Sequence, residues 1–298
     1  MKNSKILLLV IAWMLSVCIH AQDDTPIDST LFTVGYDFRV NTKDVDGEPV
    51  VDSLKTVVLV GQSYILSKGY SSYWTKIDGE THETFDQMQN ERLMHTPIIM
   101  RNAIETEMTV YEDIPVSHYV YTEDVNLEWN LTDDTLTVSG YLCKKAQTRY
   151  GGRTWTAWYT EEVATTAGPW KLSGLPGLIV KATDGNGIFS FTLFELKNRT
   201  VPISIRLMEE GRGDLPPVKT KREKFIERRN KLFMNPRYIT EPLYYHQLSE
   251  ADYRVFSLWS LEESRNPDGS FSMDVLTTYI NGVAVPKKCN EYQPLELE

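Results

Sequence analysis

The sequence predicts a mainly β (α+β) fold: a curved antiparallel β-meander, half-barrel-like, with a few helices packed on one side. Three observations lead there. Through the middle of the 298-residue chain, apolar and polar residues alternate in short runs punctuated by turn sequences such as Gly151-Gly152 and Asp184-Gly185-Asn186-Gly187. Strands joined by such short links must be antiparallel, because parallel neighbours need a crossover of about a dozen residues or more. A meander this large has to twist, and it either closes or buries its concave face against a helix.

The N-terminus stands apart from that fold. Lys2 and Lys5 precede an apolar run from Ile6 to Val17, and Ala21 is followed by polar Gln22-Asp23-Asp24. This is the pattern of a secretory signal peptide, which gives residues 1–21 as signal and 22–298 as a single β-rich domain. The run is too short to cross about 30 Å of hydrocarbon, so no transmembrane helix is expected in the mature chain. Leu15-Ser16-Val17-Cys18 loosely resembles a lipobox, but Val17 occupies a place where a small residue is expected. That favours cleavage after Ala21 over lipidation at Cys18. The chain is therefore expected to be exported, to the periplasm or the outer membrane. Its formal charge of −10 becomes about −12 without Lys2 and Lys5, which excludes the nucleic-acid-binding class.

The elements follow in order. Leu31–Val40 alternates Phe32, Val34, Tyr36 and Phe38 as a first strand. Ser53–Val60 and Ser63–Ser67 form a hairpin about Gly61-Gln62. Ile77–Leu93 places Phe85 and Met88 at helical spacing. Met108–Ile114, Val116–Thr122, Val125–Leu131, Thr135–Thr148 and Arg153–Thr160 are strands, with Gly151-Gly152 as a two-residue hairpin loop. Gly177–Thr183, Ile188–Lys197 and Val201–Met208 continue the run. Lys221–Met234 is the strongest helix, with Phe225, Ile226, Leu232 and Phe233 as its apolar stripe and Asn235-Pro236 as its stop. Its basic residues (Lys221, Arg222, Lys224, Arg228, Arg229, Lys231) form a face to be solvated or to meet an acidic partner. Short strands are expected at Arg254–Leu261 and Val275–Val285.

The chain contains no zinc-protease, nucleophile-elbow, phosphate-loop or dinucleotide motif, so no catalytic, cofactor-binding or metal-ligating residue is assigned. The glycine-rich Ser173–Gly177 leads into a strand rather than a helix, so it lacks the amide cluster that holds phosphate. Pro176-Gly177 instead fits the centre of a type II turn. Cys143 and Cys289 remain after processing. In an oxidising compartment they are a candidate disulfide, which would close a loop of about 145 residues at roughly 4–5 kcal/mol. The alternatives are two packed thiols, or a Cys143 nucleophile in a thiol- or peptide-directed enzyme. Tyr141, Trp155, Trp158, Tyr159 and Trp170 crowd into one stretch. They are candidates to line a pocket for an apolar or peptide ligand, or to form the core and girdle of the sheet.

At these residues the sequence resembles the GLPGLI family of secreted Bacteroidota envelope proteins. The resemblance rests on Gly140-Tyr141, Cys143, Lys145-Ala146, Gly152-Arg153, Ala157–Thr160, Gly168-Pro169-Trp170-Lys171 and the hexapeptide Gly174-Leu175-Pro176-Gly177-Leu178-Ile179. It extends to Gln62-Ser63 and to the closing Gln293–Glu298, and departs at Glu161–Ala164, where the family runs to Ile-Pro. It implies a cell-envelope protein, often encoded near TonB-dependent outer-membrane receptors, and carries over no reaction and no catalytic residue. The function expected is a non-enzymatic binding or accessory protein working with outer-membrane transport, or a structural subunit of an outer-membrane complex. The meander with helices also looks like the half-barrel of periplasmic lipoprotein carriers, an analogy of fold only.

Overall fold

A computed structural model describes residues 26–43, 48–70, 97–114, 117–204, 217–234 and 295–297, together with the backbone of five short strands between 260 and 287. The expected helix Ile77–Leu93 and Cys289 lie outside these residues. The fold is mainly β, as expected. Eleven strands run in order as β1 (Asp28–Lys43), β2 (Pro49–Gly61), β3 (Tyr64–Gly69), β4 (Ile98–Asn102), β5 (Glu107–Ile114), β6 (Ser117–Asp124), β7 (Asn130–Val138), β8 (Tyr141–Tyr150), β9 (Arg153–Thr160), β10 (Leu178–Asp184) and β11 (Phe189–Lys197). Two-residue strands β12 (Pro202–Ile203) and β13 (Val218–Lys219) precede helix α1 (Arg222–Met234). β14 (Ser260–Leu261), β15 (Ser264–Arg265), β16 (Phe271–Ser272), β17 (Leu276–Ile280) and β18 (Val283–Lys287) follow in two small sheets.

The main sheet has the spatial order β13-β6-β5-β4-β3-β2-β1-β11-β10-β9-β8-β7, so two meanders share the long central pair β1 and β11. All its pairings are antiparallel except that of β13 with β6. The connectivity forces this sheet to curl. β6 and β7 lie ten strand spacings apart along it, roughly 48 Å if it were flat. Residues 125–129 alone join Asp124 to Asn130, a link that reaches at most about 22 Å. The two margins must therefore approach each other, which is the half-barrel-like curvature the sequence predicts.

Period-two patterning then sets the core. Val34, Tyr36, Phe38 and Val40 of β1 point to the inner face, joined by Phe189, Phe191 and Leu193 of β11 and by Trp155, Ala157 and Tyr159 of β9. Phe38 stacks on Phe191 at 4.4 Å between ring centroids. The buried Tyr36 hydroxyl donates to Ile179 O at 2.7 Å, so the deepest polar atom of β1 is satisfied. The alternate residues Val57, Leu59, Leu66 and Ile98 pack on the other face with Val201 and Ile203.

Three sequence expectations are corrected. Thr135–Thr148 is not one strand. Ser139 and Gly140 both take positive φ (49° and 86°), turning the chain into a tight hairpin between β7 and β8. Val125–Leu131 is not a strand until Asn130, because residues 125–129 are spent bridging the two sheet margins. Val201–Met208 is reduced among the described residues to β12, which pairs Ser29 and Asp28 of β1. The Gly151-Gly152 turn is as expected, with φ of 58° and 72°.

Helix α1 closes the curl against β6. Phe225 is buried, with its ring 5.5 Å from Tyr119 and 5.4 Å from Tyr121. Phe225→Ala removes that anchor and is expected to cost about 3–5 kcal/mol, measured by urea unfolding.

Candidate functional site: a buried ion cluster beside an open cleft

The inner-face rows of the sheet do not stay apolar. Met108-x-Val110 of β5 continues to Glu112, Tyr119-x-Tyr121 of β6 continues to Glu123, and Ala146-x-Thr148 of β8 continues to Tyr150. Glu112 is 5% exposed, so this carboxylate lies inside the fold and needs partners there.

Those partners come from α1. Arg222, Phe225, Ile226 and Arg229 share one helix face at i, i+3, i+4 and i+7. The expectation of a wholly solvated basic face is therefore corrected for two of its members. Arg229 is buried and its NH1 lies 3.3 Å from Glu112 Oε1. Arg222 Nε lies 3.0 Å from Glu123 Oε2. Seven helical residues rise about 10.5 Å, close to the roughly 13 Å that separates positions 119 and 123 along a strand. Glu112 pairs across the sheet with Tyr119. One helix running along β6 thus meets both carboxylates.

The third cation comes from the Gly168–Lys171 loop. Leu172 N–H donates to Pro169 O at 3.1 Å, closing a turn in which Trp170 takes φ of 55°. A left-handed conformation costs a bulky L-residue about 1–2 kcal/mol. Packing holds it there, with Trp170 at 5.6 Å from Trp155 and 5.5 Å from Tyr150 between ring centroids. The turn directs Lys171 inward, where its side chain is 1% exposed. Lys171 Nζ forms ion pairs with both Glu123 and Glu296.

Glu296 completes the cluster. Its Oε2 accepts from Arg222 NH2 at 2.6 Å, and its main-chain oxygen accepts from Arg229 NH2 at 3.1 Å. Leu295 O accepts from Arg153 Nε at 3.1 Å, and Leu297 N–H donates to Gly151 O at 2.9 Å. Three cations therefore face three carboxylates. Tyr150 hydroxyl donates to Glu123 at 2.9 Å and Tyr121 hydroxyl to Glu112 at 3.2 Å. Burial opposes ionisation of Glu296, but Lys171 and Arg222 outweigh it and hold the carboxyl below its usual range. Burial pushes Glu112 the other way, above its usual range, against the pull of Arg229 and Lys171. Burial likewise raises the Tyr150 and Tyr121 hydroxyls, reinforced by the surrounding carboxylates, so both remain donors.

Beside the cluster lies an open cleft of about 690 Å³, bounded by Thr122–Asp124, Tyr150-Gly151 and Thr220–Glu223. It is polar, and none of the tryptophans borders it. Trp155, Tyr159 and Trp170 are buried in the core, and Tyr141 and Trp158 are half-buried against it. Of the two readings of these five aromatics, packing is the one the geometry realises.

The hexapeptide is a structural corner. Gly177 N–H bonds Leu175 O at 2.8 Å across Pro176, and Gly177 has φ of 158°. That is a three-residue turn about proline and not the expected type II turn, which needs φ near +80° at the glycine. Leu175, Leu178 and Ile179 are buried behind it, while Gly174 N–H donates to Thr166 O at 3.0 Å.

Cys143 is a free, buried thiol whose Sγ lies 3.5 Å from Tyr141 O. Burial raises its pKa, the reverse of what an activated nucleophile requires. Native protein treated with iodoacetamide at pH 8 is expected to leave Cys143 unlabelled on a peptide map, and to label it after denaturation.

Comparison with known proteins places a partial match on this region. The family described as N-glycanase peptide, N-terminal domain, matches residues 94–208. The matched stretch holds Glu112, Glu123, Lys171 and the 174–179 hexapeptide, but not α1 or Glu296. Two solved structures of PNGF-II, in P21 and C2 space groups, align at 15% identity with TM-scores of 0.47 and 0.45. They cover 68% and 67% of this chain and 33% and 32% of theirs, so the chain spans about a third of their length. A DUF1329 family protein from Desulfovibrio piger aligns at 13% identity with a TM-score of 0.26, covering 63% of this chain and 92% of its own. No curated protein matches. Among the described residues no helix is long and apolar enough to cross a membrane.

Proposed function

We propose that this chain is a GLPGLI-type envelope protein that acts by non-covalent recognition, with the open cleft beside the ion cluster as its binding surface. One observation carries the reading. The strongly interacting buried groups (Lys171, Arg222, Arg229, Glu112, Glu123 and Glu296) are all engaged with one another, while the adjoining cleft presents polar side chains to solvent. A reacting group needs a partner that changes during the reaction. A charge-balanced lattice is suited to holding a surface in shape. The cleft offers cation, carboxylate, hydroxyl and main-chain groups together, which suits a polar ligand such as a peptide or glycopeptide better than the apolar ligand considered from sequence.

The likeness of residues 94–208 to an N-glycanase N-terminal domain supports an accessory role of this kind. Placement in the envelope, and partnership with a TonB-dependent receptor, rest on the GLPGLI resemblance and the signal peptide. The alternative enzyme reading through Cys143 is disfavoured by its burial and raised thiol pKa.

The test is a thermal-shift screen of the purified protein against short neutral and acidic peptides and N-glycopeptides, with mass spectrometry of each mixture. A saturable rise in Tm that is lost in Lys221→Glu, a rim residue outside the ion cluster, is expected. Turnover of any probe, or no shift with any, would contradict the reading.

A further inference from the structure

Three residues, Leu295-Glu296-Leu297, form no helix or strand, yet four parts of the fold converge on them. Arg153 of β9 and Arg229 of α1 donate to the main-chain oxygens of Leu295 and Glu296, at 3.1 Å each. Gly151 at the β8–β9 turn accepts from Leu297 N–H. Lys171 of the Trp170 turn and Arg222 of α1 grip the Glu296 carboxylate from two sides. Main-chain contacts along a segment, plus one deep pocket for a central side chain, is how a peptide ligand is held.

Two further observations point the same way. A methyl group on Gly151 would sit 2.9 Å from Glu296 Cγ and 3.3 Å from its Cα, so the bare glycine is the floor over which the segment passes. Without the Glu296 carboxylate, Lys171, Arg222 and Arg229 would face only Glu112 and Glu123. The seat then carries one uncompensated buried positive charge and requires an anion.

We propose that this seat is a recognition site for acidic peptides, a glutamate flanked by apolar residues, and that residues 295–297 are its occupant in cis. The inference deepens the cleft reading and rests on it, since Gly151, Tyr150, Glu123 and Arg222 border both seat and cleft. Held in the same chain, the resident segment has a high effective concentration, about millimolar for a short flexible tether, and excludes weaker competitors. A partner peptide gains access when the resident carboxylate is displaced.

The experiment uses the full chain and a fluorescent peptide Gln-Pro-Leu-Glu-Leu-Glu, matching residues 293–298, in an anisotropy titration. Glu296→Ala empties the seat and is expected to bind this peptide at least tenfold more tightly than the unmodified protein does. A peptide with glutamine at the fourth position is expected to bind Glu296→Ala at least tenfold more weakly. If Glu296→Ala does not fold by circular dichroism, Leu297→Pro replaces it. That change removes the N–H bonded to Gly151, at a half-exposed residue, without touching the ions. The same order of affinities is expected. A folded variant that binds neither peptide, or both equally, overturns the inference. If that happens while the Lys221-dependent thermal shift persists, the cleft reading stands and the acidic-peptide assignment alone falls.

Discussion

Lys171→Ala is expected to destabilise the protein by about 3–5 kcal/mol, the cost of leaving buried charge without its partner. The side chain is 1% exposed and sits between the carboxylates of Glu123 and Glu296, which are 8% and 4% exposed. Removing the ammonium leaves three carboxylates against two guanidinium groups, with little water to screen them. The loss is not confined to the ion pairs. Lys171 ties the 169–172 turn to β6 and to the 295–297 segment, so α1 also loses a neighbour whose charge Arg222 shares. Urea unfolding followed by circular dichroism measures the effect. A change below about 1 kcal/mol would mean that solvent compensates the cluster and that its burial is not as described.

Gly177→Ala is expected to cost about 3 kcal/mol, at the upper end of the usual overpacking range. A Cβ there would lie 2.2 Å from Thr160 O and 2.7 Å from Thr160 C, both main-chain atoms of β9. A side chain can swing aside, but a strand backbone moves only with its ladder. Leu178 pairs with Thr160 in that ladder, so the clash falls where β10 begins to zip onto β9. Circular dichroism melting checks it, and an unchanged Tm would show that the corner can relax.

Acid should act through the same cluster. Glu296 in the folded protein releases its proton more readily than in the unfolded chain, because Lys171 and Arg222 outweigh burial. Its stabilisation is therefore complete above the unfolded carboxyl value, about 4.3, and is lost as pH falls through the lower folded value. Glu112 contributes with the opposite sign. Its folded value is raised, chiefly by burial, so stability declines as pH climbs from the unfolded value through the folded one. Glu296→Gln is expected to flatten the acid limb of a Tm-versus-pH curve and leave the Glu112 limb in place.

Much of the sheet was legible in the sequence because period-two patterning is a local signal. Val34, Tyr36, Phe38 and Val40 announce β1, and Gly151-Gly152 announces the β8–β9 turn with the residue type its positive φ requires. The Ser139-Gly140 hairpin carries the same kind of dipeptide signal and was overlooked within a run that reads as one long strand. The cluster was less legible. Arg222 and Arg229 fall on the same helical stripe as Phe225 and Ile226, a pattern visible by counting, yet basic residues on a helix are ordinarily read as solvated. Lys171 and Glu296 pair across 125 positions. Both lie in stretches that carry the family resemblance, but no local periodicity says that a lysine after tryptophan meets a glutamate near residue 298. Such a pairing emerges only after the sheet has curled.

A double-mutant cycle between Lys171 and Glu296 tests the buried cluster most directly. Lys171→Met, Glu296→Gln and the double variant are compared with the unmodified protein by urea unfolding. Because the two groups are in direct contact inside the fold, the single losses should exceed the double loss when added, by about 1.5–3 kcal/mol of coupling. Additivity within about 0.5 kcal/mol would show that the two residues act independently, and would contradict the cluster as the junction of the sheet, the helix and the 295–297 segment.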